Sequence, residues 1–423
     1  MKGNLIIRNV LLEGRPCDIY IKEGIISRIG SSVGSKDGDR VFDGRGMTVL
    51  PAFVNMHTHA AMTLFRGICE DMPLKAWLDA VWKAETALDD DLVYWGTRLA
   101  CLEMIRTGTV AFNDMYWRIS KAAQAVEDSG MRAHLTYCFL DGGDADRQRR
   151  QREECAAEYE ASGSWSDRVR FGVSIHAHYT VSDGNMLWAA GFARDRGLLI
   201  HTHISETLTE NEAHLARYGV SPTRRLADMG LLGKDVIAAH TLWLDDGDVH
   251  LLGESGTTVV HNINSNLKLA SGYRFRYNEL RDAGANVTMG TDGAGSSNNL
   301  DLREALKTAA LVQKAWRGDP ASLPLDELMA MGTVNGAKAL GLHSGVVEEG
   351  ASADLILVDT GSSFFVPSHN FKANFIYSAN SSCIDTVICD GRVIMKGGRV
   401  EGQEEVLARA REEAARFLKK INA

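Results

Sequence analysis

The stretch PAFVNMHTHAAM, residues 51–62, decides how the chain folds. An apolar run leads into two histidines one residue apart, and small residues follow. On a strand, residues i and i+2 point to the same side, so His57 and His59 share one space and Thr58 faces away. Two imidazoles held side by side can ligate one metal ion. An isolated His-x-His is more often a pair of strand-end residues bonded to backbone. What the pair means therefore depends on what the rest of the chain places beside it.

Reading outward, TVLPAFVNMHTH (48–59) is the first of eight short apolar runs. The others are TVAFNDM (109–115), RAHLTYCF (132–139), VRFGVSIHAH (169–178), LLIHTHIS (198–205), VIAAHTL (236–242), TTVVHNIN (257–264) and NVTMGTDGAG (286–295). Helical patterns such as 91–107 and 185–196 separate most of them. Strands alternating with helices over this span predict a (β/α)8 barrel. Polar residues gather at the carboxyl ends of the runs: His57, His59, Asp114, His176, His178, His201, His203, His240, His261, Asn262 and Asp292. In a barrel those ends share one face, where catalytic groups sit. His57, His59, a histidine of HTH, His240 and Asp292 form a donor set suited to zinc or iron(II). Glu206, three residues after His203, can reach the same centre as a general acid/base.

Both ends of the chain read differently. Residues 1–48 and 346–398 are short strands broken by Asp-Gly and Gly-Gly turns, and neither is long enough for a core of its own. The division expected is a β-sandwich part at 1–48, a barrel at 49–345, the second sandwich part at 346–398, and a C-terminal amphipathic helix at 399–423. Of 423 residues, 45% are hydrophobic and only 7 are proline, which describes an ordered globular chain. The net charge of −9, with no basic cluster among aromatics, argues against a nucleic-acid partner. No run approaches the ~18 apolar residues that span a bilayer, so no membrane partner is expected. Seven scattered cysteines without a Cys-x-x-Cys pair, and a polar N-terminus unlike a signal peptide, point to a cytoplasmic location.

Five ordered pieces carry a resemblance: PAFVNMHTHAAMTLFRG (51–67), HTHISET (201–207), AAHTLWL (238–244), HNINSNLKLASG (261–272) and GTDGAGSSNNLDL (290–302). Together they resemble the amidohydrolase superfamily, in its branch of adenosine-type, guanine and triazine deaminases. The resemblance implies one divalent metal ion held by His57, His59, His203 and Asp292. Zinc is the first choice, with iron(II) or manganese(II) as alternatives. The family spacing H-x-x-E selects His203 over His201, for which a ligand role is the minority reading. Glu206 matches the proton shuttle, His240 the histidine that orients the hydrolytic water, and Asp292 both ligates and accepts that water's proton. The reaction implied is hydrolytic deamination, with hydroxide generated at the metal and ammonia released.

The stretch 72–109 is most similar to S-adenosylhomocysteine and methylthioadenosine deaminases, whose W-x-x-E element binds ribose hydroxyls; Trp82 and Glu85 fit it. His176 matches a substrate-contacting histidine. The substrate expected is therefore a small adenine nucleoside (S-adenosylhomocysteine, methylthioadenosine, adenosine or 5′-deoxyadenosine), and a homo-oligomer is expected. The alternatives are a guanine or other free-base deaminase, a triazine-type chlorohydrolase, or a non-catalytic scaffold, against which the complete ligand set argues. Lys83, His178 and Ile263 depart from the pattern, which usually has proline at all three. Arg147, Arg149, Arg150 and Arg152 could meet a homocysteine carboxylate, although such a charge run is usually a solvated face. Asp114, Asn262, His134 and His261 read as structural.

Overall fold

The structure is a computed structural model and describes residues 4–422. Eight parallel strands form one sheet in sequence order: β1 (Phe53–Thr58), β2 (Thr109–Tyr116), β3 (Arg132–Phe139), β4 (Val169–Ala177), β5 (Ile200–Ile204), β6 (Val236–His240), β7 (Thr258–His261) and β8 (Asn286–Met289). Helices pack outside, so nearly every strand residue is buried and the strands read as unbroken apolar runs. No ladder joins β8 to β1. The seam is stitched instead by single bonds. Asp292 N donates to the His57 carbonyl at 3.0 Å, and the Asn55 side chain both donates to Thr291 Oγ1 (2.7 Å) and accepts from Thr291 N (3.1 Å). The barrel is thus closed at the end where the histidines stand.

The second sheet comes from both chain ends. It contains Leu5–Leu12, Arg15–Lys22, Ile25–Gly30, Arg40–Asp43, Met47–Pro51, Leu355–Asp359, Ile384–Cys389 and Arg392–Met395. Met47–Pro51 runs antiparallel to Leu355–Asp359, with Val49 opposite Leu357. The run 48–59 is therefore two strands in two sheets, divided at Ala52. Leu355 and Leu357 point into the core of the end-derived sheet, while Ile356 and Val358 point into the barrel's. This period-2 division makes the sheet part of the barrel's wall.

The helical stretches fall close to where the pattern put them, at Asp90–Arg106 and Asp183–Arg194. Asp89 caps the first of these by accepting from Leu92 N at 3.0 Å. The last helix, Gln403–Ile421, returns to it: Arg416 Nη2 donates to Asp89 Oδ1 at 2.8 Å, and Phe417 packs on Phe65 with centroids 4.6 Å apart. Among the described residues, no helix is long and apolar enough to cross a membrane.

Candidate metal centre and pocket

The carboxyl ends of β1, β5, β6 and the turn after β8 converge. His57 Nε2 and His59 Nε2 each lie 3.3 Å from Asp292 Oδ1, and His203 Nε2 lies 3.3 Å from His57 Nε2. Two overlapping groups, His57–His59–His203 and His57–His240–Asp292, keep their donor atoms within 4.8 Å of one another. Donors bound at about 2.0–2.1 Å on a tetrahedron are separated by about 3.3–3.4 Å. The three separations of 3.3 Å are of that length, and imidazole and carboxylate donors suit a divalent metal. Burial holds the imidazoles of His57 and His203 below their ordinary pKa, which keeps their nitrogens available as ligands. Burial alone would raise Asp292, but the histidines around it hold its carboxyl well below the usual range.

Neighbouring side chains fix these groups. His59 Nδ1 donates to the Met115 carbonyl at 2.7 Å, which leaves Nε2 as the free electron pair. The far oxygen of Asp292 accepts from Ser265 Oγ (2.6 Å) and Ser296 Oγ (3.0 Å). His201 stands behind the cluster, with Nε2 at 3.0 Å from His57 Nδ1 and its other nitrogen 3.0 Å from the Asn113 amide. It is spatially separated from the open side of the centre. Asn266 Nδ2 donates to His240 Nδ1 at 3.0 Å, so that ring carries its proton on Nε2, 3.7 Å from Glu206 Oε2. Burial pushes the Glu206 carboxyl well above the ordinary range, with the Asp292 and Glu210 charges adding to it; burial lowers His240 to about 3. Ser205, His240 and Asp292 all have left-handed backbone, with φ of 52°, 71° and 61°. Such conformations cost about 1–3 kcal/mol each and concentrate at functional sites.

One cavity opens onto this cluster. Its roof is helix α1 (Leu74–Glu85), whose residues 74, 77, 78, 81, 82 and 85 all face it at helical spacing. Trp77 Nε1 ties the helix to the Gly295 carbonyl at 3.3 Å, and Tyr116 OH donates to Glu85 Oε1 at 3.0 Å. Glu85 opens onto the cavity but is otherwise enclosed, and that enclosure pushes its carboxyl up to about 8. The Trp82 ring meets His176 edge-on at 6.1 Å. Lys83 points outward and is exposed. The arginines lie on helix Ala145–Ser162: Arg149 pairs with Asp146 at the surface, Arg152 bonds Asn185 and Gly184, and none of the four lines the cavity. Tyr116, Ser265, Asn266, Ser296 and Ser271, whose Oγ donates to Glu206 Oε1 at 3.4 Å, are partners that sequence reasoning missed. Ser265 and Asn266 fall inside NINSN, where only their place on the helix after β7 reveals their direction. His261 stacks on Phe275 at 4.0 Å, and His134 bonds Asn113 at 2.8 Å. Asp114 Oδ1 accepts from Ala60 N at 2.7 Å.

The sequence profile of the amidohydrolase family matches residues 48–394. The 5′-deoxyadenosine deaminase of Methanoregula boonei is 45% identical over 423 residues, covering 99% of this chain and 96% of that one. The 5-methylthioadenosine/S-adenosylhomocysteine deaminase 1 of Archaeoglobus fulgidus is 40% identical over 393 residues, covering 92% of this chain and 93% of that one. A zinc-bound adenosine deaminase from Xanthomonas campestris superposes with a TM-score of 0.91 at 29% identity, covering 99% of each chain. The zinc complex of atrazine chlorohydrolase from Arthrobacter aurescens shares the fold, with a TM-score of 0.88 at 23% identity over 97% of this chain and all of that one.

Proposed function

The chain belongs to the amidohydrolase family, and on that premise we propose that it hydrolyses the exocyclic amino group of a 5′-modified adenine nucleoside, releasing ammonia. The observation that carries the reading is the cluster of His57, His59, His203 and Asp292, three of whose donor separations are 3.3 Å, with the enclosed Glu206, whose carboxyl burial pushes up, beside them and the Glu85 carboxyl across the same cavity. His57, His59, His203 and Asp292 are the proposed ligands. The zinc in a structural neighbour supports zinc as the metal. When bound, such an ion lowers the pKa of a water molecule towards neutrality.

Glu206, whose burial favours the protonated carboxyl, gives its proton to the ring nitrogen next to the amino-bearing carbon. That carbon becomes electrophilic and water adds to it. His240 directs Nε2–H at the incoming oxygen, and the Asp292 carboxylate takes the water's proton. The same proton, passed on to the amino group, lets the C–N bond break and ammonia leave, while the added oxygen becomes the carbonyl and gives its remaining proton back to Glu206. Hydrogen bonds from both ribose hydroxyls favour the charged carboxylate of Glu85, which accepts them, and Trp82 with His176 walls the base and sugar. Much of the remaining wall is apolar, Leu74, Trp77, Leu78 and Val81 of α1 with Trp117 and Cys138, and Tyr116 and Tyr179 join it without charge. Among the described residues, no lysine or arginine lines the cavity. This favours a 5′-methyl or 5′-methylthio group over the charged tail of S-adenosylhomocysteine. A cytoplasmic homo-oligomer completes the reading.

The test is ammonia release from 5′-deoxyadenosine, methylthioadenosine, S-adenosylhomocysteine, adenosine, guanine and cytosine. The first two are expected to have the highest kcat/KM. Guanine or cytosine as the preferred substrate would overturn the nucleoside assignment.

A further inference from the structure

His178 is the residue at which this chain departs from the usual proline after β4, and the site described so far leaves it without a role. Its side chain is 4% exposed, and Nε2 lies 2.9 Å from Glu210 Oε1. Glu210 is the third residue of helix Leu208–Tyr218, and as part of a capping box it reaches the Thr207 N–H. Here it does more than cap. Oε1 also accepts from Ser205 N at 3.1 Å, and Oε2 from Glu206 N at 2.8 Å and Thr207 N at 3.4 Å. Three consecutive amides thus converge on one carboxylate, and the middle one belongs to Glu206. The first belongs to Ser205, whose left-handed backbone turns the chain so that Glu206 faces the centre. Such a turn persists only where its surroundings hold it.

We propose that His178 is a positioning residue for the reaction: it fixes Glu210 from the end of β4, and Glu210 in turn fixes the peptide that aims Glu206. The imidazole is itself held in place. The His214 ring packs edge-on against it at 4.5 Å, and His214 Nδ1 is anchored on the Val220 carbonyl at 2.9 Å. The contact also ties the strand end that carries His176 to the strand end that carries Glu206. The groups touching substrate and the group delivering the proton then keep one mutual geometry. A proline at 178 offers no donor and cannot make this link.

The inference rests on Glu206 being the proton carrier, so Glu206→Gln is measured alongside. The decisive variants are His178→Phe, which keeps a ring against His214 but removes the donor, and His178→Gln, which keeps a donor near the Nε2 position. With 5′-deoxyadenosine as substrate, His178→Phe is expected to lower kcat about ten- to a hundredfold, as small misplacements of a reacting group do. KM, bound metal and Tm are expected to stay near wild type, and His178→Gln to recover most of the loss. Unchanged kcat in His178→Phe overturns the inference, and so does equal impairment of the Phe and Gln variants. A loss that follows KM or metal content instead of kcat overturns it too, by assigning His178 to substrate binding or to folding. If Glu206→Gln turns over normally, it is the proton-carrier assignment that has failed, whatever the His178 variants do.

Discussion

The two ends of the barrel are built from the same strands and have opposite chemistry. At the carboxyl ends, buried imidazoles and carboxyls crowd within a few ångströms, and Ser205, His240 and Asp292 hold left-handed backbone. Towards the other end, Val54, Met56, Ala111, Ile237 and Val260 form an apolar cluster, closed by Ala337 and Leu340 on and after helix Val334–Ala339. One end holds groups that cost stability to bury; the other supplies apolar burial that offsets the cost. Activity and stability should therefore separate by position along the strands.

The sharpest break of this comparison is at the proposed metal ligands. His57→Ala and Asp292→Ala are expected to lose bound metal and activity together, checked by elemental analysis of the purified variants against turnover. Full occupancy with full activity would show the ligands misassigned. Next, Glu206→Gln is expected to keep its metal while kcat falls about 10²–10⁴-fold, the usual cost of losing a general acid/base. At the cavity's far wall, Glu85→Ala should lower kcat/KM for 5′-deoxyadenosine about ten- to a hundredfold and spare a 2′,3′-dideoxy analogue, which has no hydroxyls to bind. Equal loss on both substrates would make Glu85 structural.

At the apolar end the expectation reverses. Leu340→Ala is expected to cost about 2–5 kcal/mol in denaturant unfolding, with kcat unchanged. The smallest effect belongs to Glu85 again, now read as stability. Its carboxyl sits near 8 when folded and near the ordinary value when unfolded. Between those two values the unfolded state holds fewer protons, so stability falls as pH rises through this window and levels off above it. Glu85→Gln removes that penalty, so its stability advantage over wild type should grow from pH 5 to pH 8, by about 1–3 kcal/mol. An advantage independent of pH would show that Glu85 ionises freely in the folded protein.

Much of this was readable in the chain. Parallel strands buried on both faces give short apolar runs, and polar residues at their ends stand out against that background. His57, His59, His240 and Asp292 were visible for this reason, His203 was chosen over His201 by the family spacing, and the structure brings them together. What was hidden depends on partners far apart in sequence. Thr48 to Pro51 look continuous with β1 because both are apolar; only pairing with Leu355–Asp359 separates them. Ser265 and Ser296 are unremarkable residues until a turn brings each to the same carboxylate oxygen. The helical stripe of α1 reads as a core face, yet its apolar side roofs a cavity, a distinction that periodicity does not contain.

The pairing of Met47–Pro51 with Leu355–Asp359 also sets a timetable. During synthesis at about 5–20 residues per second, the first strand waits roughly 15–60 s for its partner to be made. Throughout that interval one edge of Met47–Pro51 lacks its neighbour, and the barrel lacks the wall that Ile356 and Val358 provide. Asp292, too, is translated long after His57. The nascent chain therefore carries its paired histidines while Asp292, the proposed acidic ligand, and the supporting sheet are still unmade. With the proposed ligands, a complete metal site forms only late in the synthesis of each molecule.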